Sequence, residues 1–201
     1  MRLSVVVPAH NPDLRVLGKV LDRLRVQSLR QAEWELVVVD NNSAAPLAPV
    51  LDLSWHKNGV VVREEALGLT RARIAGFRST VGSLVVLVDD DNLLASDYLD
   101  QALRVDDTFP QLGTWGGAVL PKFERPELAP PPSMFPLLTL RALTADLWSN
   151  DIDHHASTPW GAGLCVRREV AERYILDLEE RALGLELDLQ AERLVYGGDT
   201  D

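Results

Sequence analysis

Asp89-Asp90-Asp91 directly follows the apolar run Leu84-Val85-Val86-Leu87-Val88. A run of that length and β-branched content reads as a fully buried strand. Three carboxylates therefore stand at its carboxyl end, the edge at which open α/β sheets bind ligands. Unpaired, they would repel one another and resist desolvation. A hard divalent cation resolves the conflict, because such metals take carboxylate oxygen. The segment has the chemistry of a metal platform for a phosphate-bearing ligand. If the strand stays extended, Asp89 and Asp91 share one face.

Three more polar clusters follow strands or open helices: Pro8-Ala9-His10-Asn11, Asp40-Asn41-Asn42-Ser43, and Gly68-Leu69-Thr70-Arg71-Ala72-Arg73. Each alone has an ordinary explanation. An Asp after a strand usually caps or forms a turn, a loop histidine bonds backbone, and paired arginines cover a solvated helix face. In a parallel sheet, however, all four clusters converge on one edge, and their order argues against a purely structural explanation.

The elements that must position them alternate. Strands are expected at Leu3-Ser4-Val5-Val6-Val7, Leu36-Val37-Val38-Val39, Val60-Val61-Val62 and residues 84–88, with Pro8 breaking the first. Apolar residues at helical spacing (Leu14, Leu17, Val20, Leu21, Leu24) predict a helix over 14–29 with Asp13 as its N-cap. Helices are also expected over 47–53, 70–79 and 96–105. Strand–helix alternation means a parallel sheet with right-handed crossovers. Beyond residue 105 the pattern changes. Residues 115–119 and 161–166 read as strands, and residues 121–136 are too rich in proline for helix or central strand. They read as a surface excursion, and Glu169 to Tyr174 as the start of another helix.

Bulk properties bound the partners. The chain has 201 residues, 46% of them hydrophobic and 25% charged, with a net charge of −10. That balance disfavours nucleic acid and an anionic membrane surface. The single cysteine, Cys165, gives no internal disulfide framework and fits a reducing compartment. No apolar run reaches the roughly 18 residues of a membrane span, and no signal peptide is evident. The expectation is a cytoplasmic protein, with peripheral membrane attachment through a further C-terminal part or a partner as the alternative.

The ordered set V-V-V-P-A-H-N, V-V-V-D-N-N-S, G-L-T-R-A-R and V-L-V-D-D-D resembles the nucleotide-sugar half of the family 2 glycosyltransferases. Pro159-Trp160-Gly161-Ala162-Gly163 and Gly197-Gly198-Asp199-Thr200-Asp201 resemble that family's acceptor-side motifs. The resemblance implies an α/β GT-A fold, a Rossmann-like mostly parallel sheet flanked by helices with a smaller mixed acceptor-side region. It implies one domain over 1–201, with residues 1–112 as the nucleotide-sugar half and 113–201 as the acceptor-side half.

The resemblance also assigns roles. Pro8, Ala9, His10 and Asn11 would line the nucleoside pocket, His10 standing where the family often has tyrosine. Asp40 would accept from the base N3–H, which suits uracil or thymine. Arg71 or Arg73 would face the diphosphate, where a guanidinium fork matches phosphate oxygens. Residues two apart on a helix point about 200° apart, so one of the two does so, and Arg73 fits the family pattern better. Asp89 would contact ribose or the metal shell, and Asp91 would ligate Mg²⁺ or Mn²⁺; Asp90 has a claim to either role. Trp160 and Gly161 would form the acceptor floor.

The implied reaction moves a sugar from a nucleoside-diphosphate sugar, UDP favoured, to a saccharide or other hydroxyl acceptor with inversion. Asp199 aligns with the family's base and Asp201 is the alternative; Gly198 departs from the usual glutamate. Family members usually continue past this point, so the chain is expected to be truncated at its C-terminal side. A nucleotide-sugar-binding domain without efficient transfer is the alternative function. Asp151, Asp153, His154 and His155 have metal-ligand residue types but read as a solvated loop.

Overall fold

The computed structural model describes residues 1–131, 133–134, 138, 140–151, 153–181, 189–190 and 193–194. Among these, a six-stranded sheet runs in the order β3-β2-β1-β4-β6-β5, built from β1 (Leu3–Ala9), β2 (Trp34–Asn41), β3 (Gly59–Glu64), β4 (Leu84–Leu87), β5 (Thr114–Trp115) and β6 (Leu164–Arg167). The first four strands are mutually parallel, and β6 runs antiparallel to both β4 and β5. The α/β sheet expected from the sequence is thus present, mostly parallel with an antiparallel flank.

Period-two alternation explains the layers, because successive strand side chains point to opposite faces. Val5, Val7, Leu36, Val38, Leu84 and Val86 pack on one face with Leu17, Val20, Leu24 and Leu99. These helical residues belong to α1 (Leu14–Arg25) and α3 (Tyr98–Thr108). Val6, Val37, Val39, Val85 and Leu87 pack on the other with Ala72, Ile74, Phe77, Ala171 and Ile175. Those come from α2 (Leu69–Arg78) and α4 (Arg168–Arg181). A sheet buried on both faces accounts for the continuous apolar runs.

Several boundaries differ from expectation for identifiable reasons. β1 extends through Pro8 to Ala9. Val88 N donates to Val6 O at 2.9 Å, and the next ladder donor towards Val88 O would be the N–H that Pro8 lacks. Pro8 therefore leaves β1 intact beside β2 but releases the chain after β4. Residues 47–53 form a single turn instead of a helix: Val50 N and Leu51 N both bond Leu47 O at 3.0 Å. The strand expected at 115–119 is cut short after Trp115. Val119 instead exchanges two 2.8 Å backbone bonds with Arg141, closing the base of the proline-rich excursion. The strand expected from 161 begins at Leu164, because Gly163 lies at φ 76°. A short antiparallel pair, β7 (Leu189–Gln190) and β8 (Arg193–Leu194), follows α4.

His56 links folding to pH. His56 is 2% exposed, its ring centroid 4.1 Å from that of Trp34 and 5.4 Å from that of Trp55, and neither ring nitrogen has a hydrogen-bond partner. Burial lowers its pKa below the usual histidine value. The folded state thus resists a proton that the unfolded chain accepts below about pH 6.5, so stability falls as pH falls. Urea unfolding between pH 7 and pH 5 is expected to show this loss, with His56 contributing at most about 1.4 kcal/mol per pH unit. His56→Phe should flatten that slope; an unchanged slope would show that other groups cause it.

Candidate active site

The parallel register brings the carboxyl ends of the strands level. Ala9 pairs with Asp40 and Asp40 with Arg63, while β4 follows β1 up to Val6–Leu87. The loops leaving β1, β2, β3 and β4 therefore open on one edge, as expected.

Side chains stitch the first three loops together. His10 Nδ1 lies 2.7 Å from Asn41 O, and Nε2 lies 2.8 Å from Asn11 Nδ2. A carbonyl only accepts, so Nδ1 carries the proton and Nε2 accepts. Asn11 N donates to Ser43 Oγ at 2.9 Å, and Asn11 Oδ1 accepts from Ala44 N at 2.9 Å. Asn41 reaches the third loop: its Nδ2 donates to Ala66 O at 2.7 Å and its Oδ1 accepts from Gly68 N at 2.9 Å. Asn11 and Asn42 hold left-handed φ of 47° and 52°, a conformation that asparagine tolerates better than most residues.

Asp40 holds this arrangement from inside. Its side chain is 2% exposed. Oδ1 accepts from Ser43 N at 3.0 Å, and Oδ2 accepts from Leu47 N at 3.0 Å and Arg63 Nη1 at 2.9 Å. Burial opposes its charge, but the hydrogen bonds from Leu47, Ser43 and Arg63 prevail and hold the carboxyl below the usual range. Asp40 thus anchors its loop and offers a ligand almost no carboxylate surface. Arg63 is 31% exposed and also bonds Ser43 O and Asn42 Oδ1 at 2.9 and 3.1 Å.

Gly68 opens α2 at φ 140° with no side-chain cap. The two arginines separate as helical geometry requires: Arg73 is buried at 6% exposure, whereas Arg71 is half-buried.

The acid run does not stay extended. Asn92 N bonds Asp89 O at 3.1 Å, closing a turn over 89–92. Asp89 and Asp91 still come together, because Asn92 Nδ2 donates to Asp89 Oδ2 at 2.9 Å and to Asp91 Oδ1 at 3.2 Å. Asp90 takes a half-buried position, and its carboxyl is pushed up to about 6 by burial and then by the charge of Asp91, with the nearby His10 acting in the opposite direction. Two carboxylates gathered on one amide, with a third beside them, fit a hard oxygen-loving cation. Mg²⁺ in particular takes one or two protein carboxylates and completes its shell with water and phosphate. No group of three His, Cys, Asp or Glu among the described residues is placed to hold a metal ion by itself, so the rest of the shell would come from water and phosphate. In the 151–157 loop, Asp151 Oδ1 accepts from Asp153 N and His154 Nδ1 lies 2.8 Å from Ser157 Oγ, so these side chains serve the loop.

In the segment before β6, Trp160 is half-buried with the Arg141 guanidinium 5.4 Å from its ring centroid. Arg141 also donates to Thr158 O at 2.7 Å and His155 O at 3.2 Å. Gly161 is buried at the start of the turn leading to β6. Cys165 is buried, and its thiol is pushed up to about 12, chiefly by desolvation, so it stays protonated. Asp199 and Asp201 lie outside the described residues, as do Gly197, Gly198 and Thr200. Sequence reasoning missed Arg63, Asn92 and the bridging role of Asn41. Arg63 could have been found by aligning the strand ends, since it stands directly beside Asp40.

Among the described residues no helix is long and apolar enough to cross a membrane. An N-acetylglucosaminyltransferase of Bradyrhizobium elkanii is 32% identical over 101 residues, covering 48% of this chain and 55% of that protein. The solved structure of S. aureus TarS 1-349 superposes with a TM-score of 0.66 at 22% identity, over 96% of this chain and 52% of that 1-349 chain, which is also solved with UDP-GlcNAc. The mannosyltransferase PcManGT from Pyrobaculum calidifontis, solved with GDP-Man and Mn²⁺, superposes at 0.60 with 22% identity, over 86% of this chain and 46% of that one. These structures share the GT-A fold. The chain spans between 12% and 65% of the length of the curated relatives it matches. A family model described as "Glycosyl transferase family 2" matches residues 4–174, the span that carries the four edge loops, the Trp160 turn and all six strands of the main sheet, and the chain belongs to that family.

Proposed function

We propose that this chain is a metal-dependent, inverting glycosyltransferase that takes a UDP-sugar donor and a hydroxyl acceptor. The observation that carries the reading is the turn over 89–92, which gathers Asp89 and Asp91 at the edge where the His10, Asp40 and Gly68 loops meet. UDP-GlcNAc is the first donor to test, given the N-acetylglucosaminyltransferase relatives and the UDP-GlcNAc complex of the TarS neighbour.

Asp91 and Asp89 would hold Mg²⁺ or Mn²⁺, and the cation would supply Lewis-acid stabilisation of the leaving diphosphate. The chain's own groups do the remainder. Pro8, Ala9, His10 and Asn11 form one wall of the nucleoside pocket. Asp40 holds the facing loop in shape, and Arg63 presents that loop's exposed charge. The uncapped start of α2 favours an anion, and half-buried Arg71 is better placed than buried Arg73 to meet a diphosphate in solvent. Asp199, with Asp201 as the alternative, takes the proton from the acceptor hydroxyl. The oxygen then bonds the anomeric carbon as the diphosphate leaves with the electron pair of its bond. Attack opposite the leaving group inverts that centre. Trp160 and Gly161 underlie the acceptor, an aromatic face being suited to a sugar ring.

Titration calorimetry with UDP, with and without Mn²⁺, tests the reading. UDP should bind measurably tighter with Mn²⁺ present. Binding indifferent to the metal, or absent in both conditions, would reject the proposal.

A further inference from the structure

Tyr98 is used by none of the roles above, yet it joins the two halves of the site. It is the first residue of α3, the helix that follows the acid turn. Its hydroxyl donates to Gly163 O at 2.5 Å, in the turn that leads from Trp160 and Gly161 into β6. Two glycines make room for the ring. A Cβ on Gly163 would lie 2.8 Å from Tyr98 Oη and 3.1 Å from Cζ, and Gly163 already sits at φ 76°. A Cβ on Gly117 would lie 3.3 Å from Tyr98 Cε2. Burial raises the phenol pKa far above its usual value, so the hydroxyl stays a donor.

We propose that Tyr98 is a positioning residue that fixes the Trp160–Gly161 acceptor floor relative to the Asp89–Asp91 turn. The proposal rests on the transferase reading above. The physical argument is one of connection. Antiparallel β6 pairs with β4 through Leu87–Leu164 and no further, so beyond that pair the acceptor turn and the acid turn part company. Tyr98 spans the gap from the acid-turn side, with Leu94 Cδ2 3.6 Å from the Cβ position of Gly163 adding an apolar contact. Trp160 is also held by Arg141, whose guanidinium lies over its ring. The floor is thus held by two contacts, and the Tyr98 hydroxyl bond is the directional one. An ordinary core tyrosine would also satisfy its hydroxyl, so the test must separate positioning from simple stability.

Tyr98→Phe keeps the ring and removes the bond to Gly163 O together with the hydroxyl's contacts to the Gly117 backbone and the Cys165 thiol. In the full chain, hydrogen exchange at residues 161–164 should speed up about five-fold or more, as expected for one lost neutral hydrogen bond, while exchange in β1 and β4 stays unchanged. With Mn²⁺ and UDP-sugar, the acceptor KM should rise about ten-fold and the ratio of transfer to donor hydrolysis should fall, with UDP affinity within two-fold of the parent. Unchanged exchange at 161–164 would overturn the proposal whatever the chain's activity. So would an unaltered acceptor KM, or an equal loss of donor affinity. A parent chain that shows no Mn²⁺-dependent UDP binding would reject the transferase reading instead, and leaves the exchange experiment to decide on Tyr98.

Discussion

Asp91→Ala should weaken Mn²⁺-dependent UDP binding by about a hundred-fold or more, the effect of losing several kcal/mol of metal-mediated charge stabilisation. Asp91 is exposed and shares the Asn92 amide with Asp89. Its removal opens no cavity, so the melting temperature should barely move. That separation is the point of the experiment: a large binding loss at constant stability identifies a ligand contact. Asp91→Asn preserves shape and removes charge, and should fall nearly as far, because a neutral amide is a poor ligand for a hard cation. Asp89→Ala should also weaken binding. It additionally removes the partner at the head of the turn, so some loss of stability is expected with it. Calorimetry on the three variants beside thermal melts checks the set. Parent-like affinity in Asp91→Ala would remove the acid turn from the site.

The largest stability effect is expected far from that edge. Gly82 lies where the chain enters β4, at the amino end of the sheet. A Cβ there would stand 2.5 Å from Ser4 Oγ, 2.7 Å from Leu3 C and 2.8 Å from Ser4 N. Two of these neighbours are backbone of a fully buried strand and cannot swing aside. The same place holds a partly buried polar knot. Ser4 Oγ donates to Glu35 Oε1 at 2.6 Å, Gly82 N donates to Ser4 Oγ at 2.9 Å, and Val81 N donates to Glu35 Oε1 at 2.7 Å. Arg168 Nε donates to Gly82 O at 2.6 Å, tying α4 in. Gly82→Ala must displace β1 or break these bonds, at a cost of about 3 kcal/mol. In a chain of this size that lowers the melting temperature by roughly 10 °C. Val81→Ala, at a side chain 70% exposed, is the matched control and should change little. A Gly82→Ala melt within a degree or two of the parent would show that the close approach is not present in solution. Below its melting point Gly82→Ala should still bind UDP, since the acid turn lies at the opposite end of the sheet.

The four parallel strands and their order in the chain were legible because each reads as an unbroken apolar run; β1, β2 and β4 are buried on both faces, and β3 at the sheet edge is half-buried. The convergence of the edge loops followed from that. What the sequence did not disclose was local competition. The helix expected over 47–53 is one turn, closed by Val50 N and Leu51 N on Leu47 O. Pro8 reads as a strand breaker, yet it ends only the pairing with β4 and not that with β2. Asp40 has the residue type of a ligand contact, and only its three internal donors show where its oxygens are directed. Asn92 looked like the residue after the motif, whereas its amide gathers Asp89 and Asp91. Beyond residue 113 the strands are two to four residues long and paired antiparallel, too short for periodicity to register. Tyr98 gave no signal at all, because its partners Gly117 and Gly163 are distant in sequence.

The bonds among His10, Asn11, Asn41, Ser43, Ala66 and Gly68 are all internal to the chain. A nucleotide arriving at this edge would meet loops whose backbone freedom has already been surrendered, so little ordering remains to be done at encounter. Association would then proceed at the usual rate for a rigid surface, with no slow rearrangement ahead of it. Differences among rival donors would appear as differences in residence time, since that is where affinity varies once arrival rates are alike.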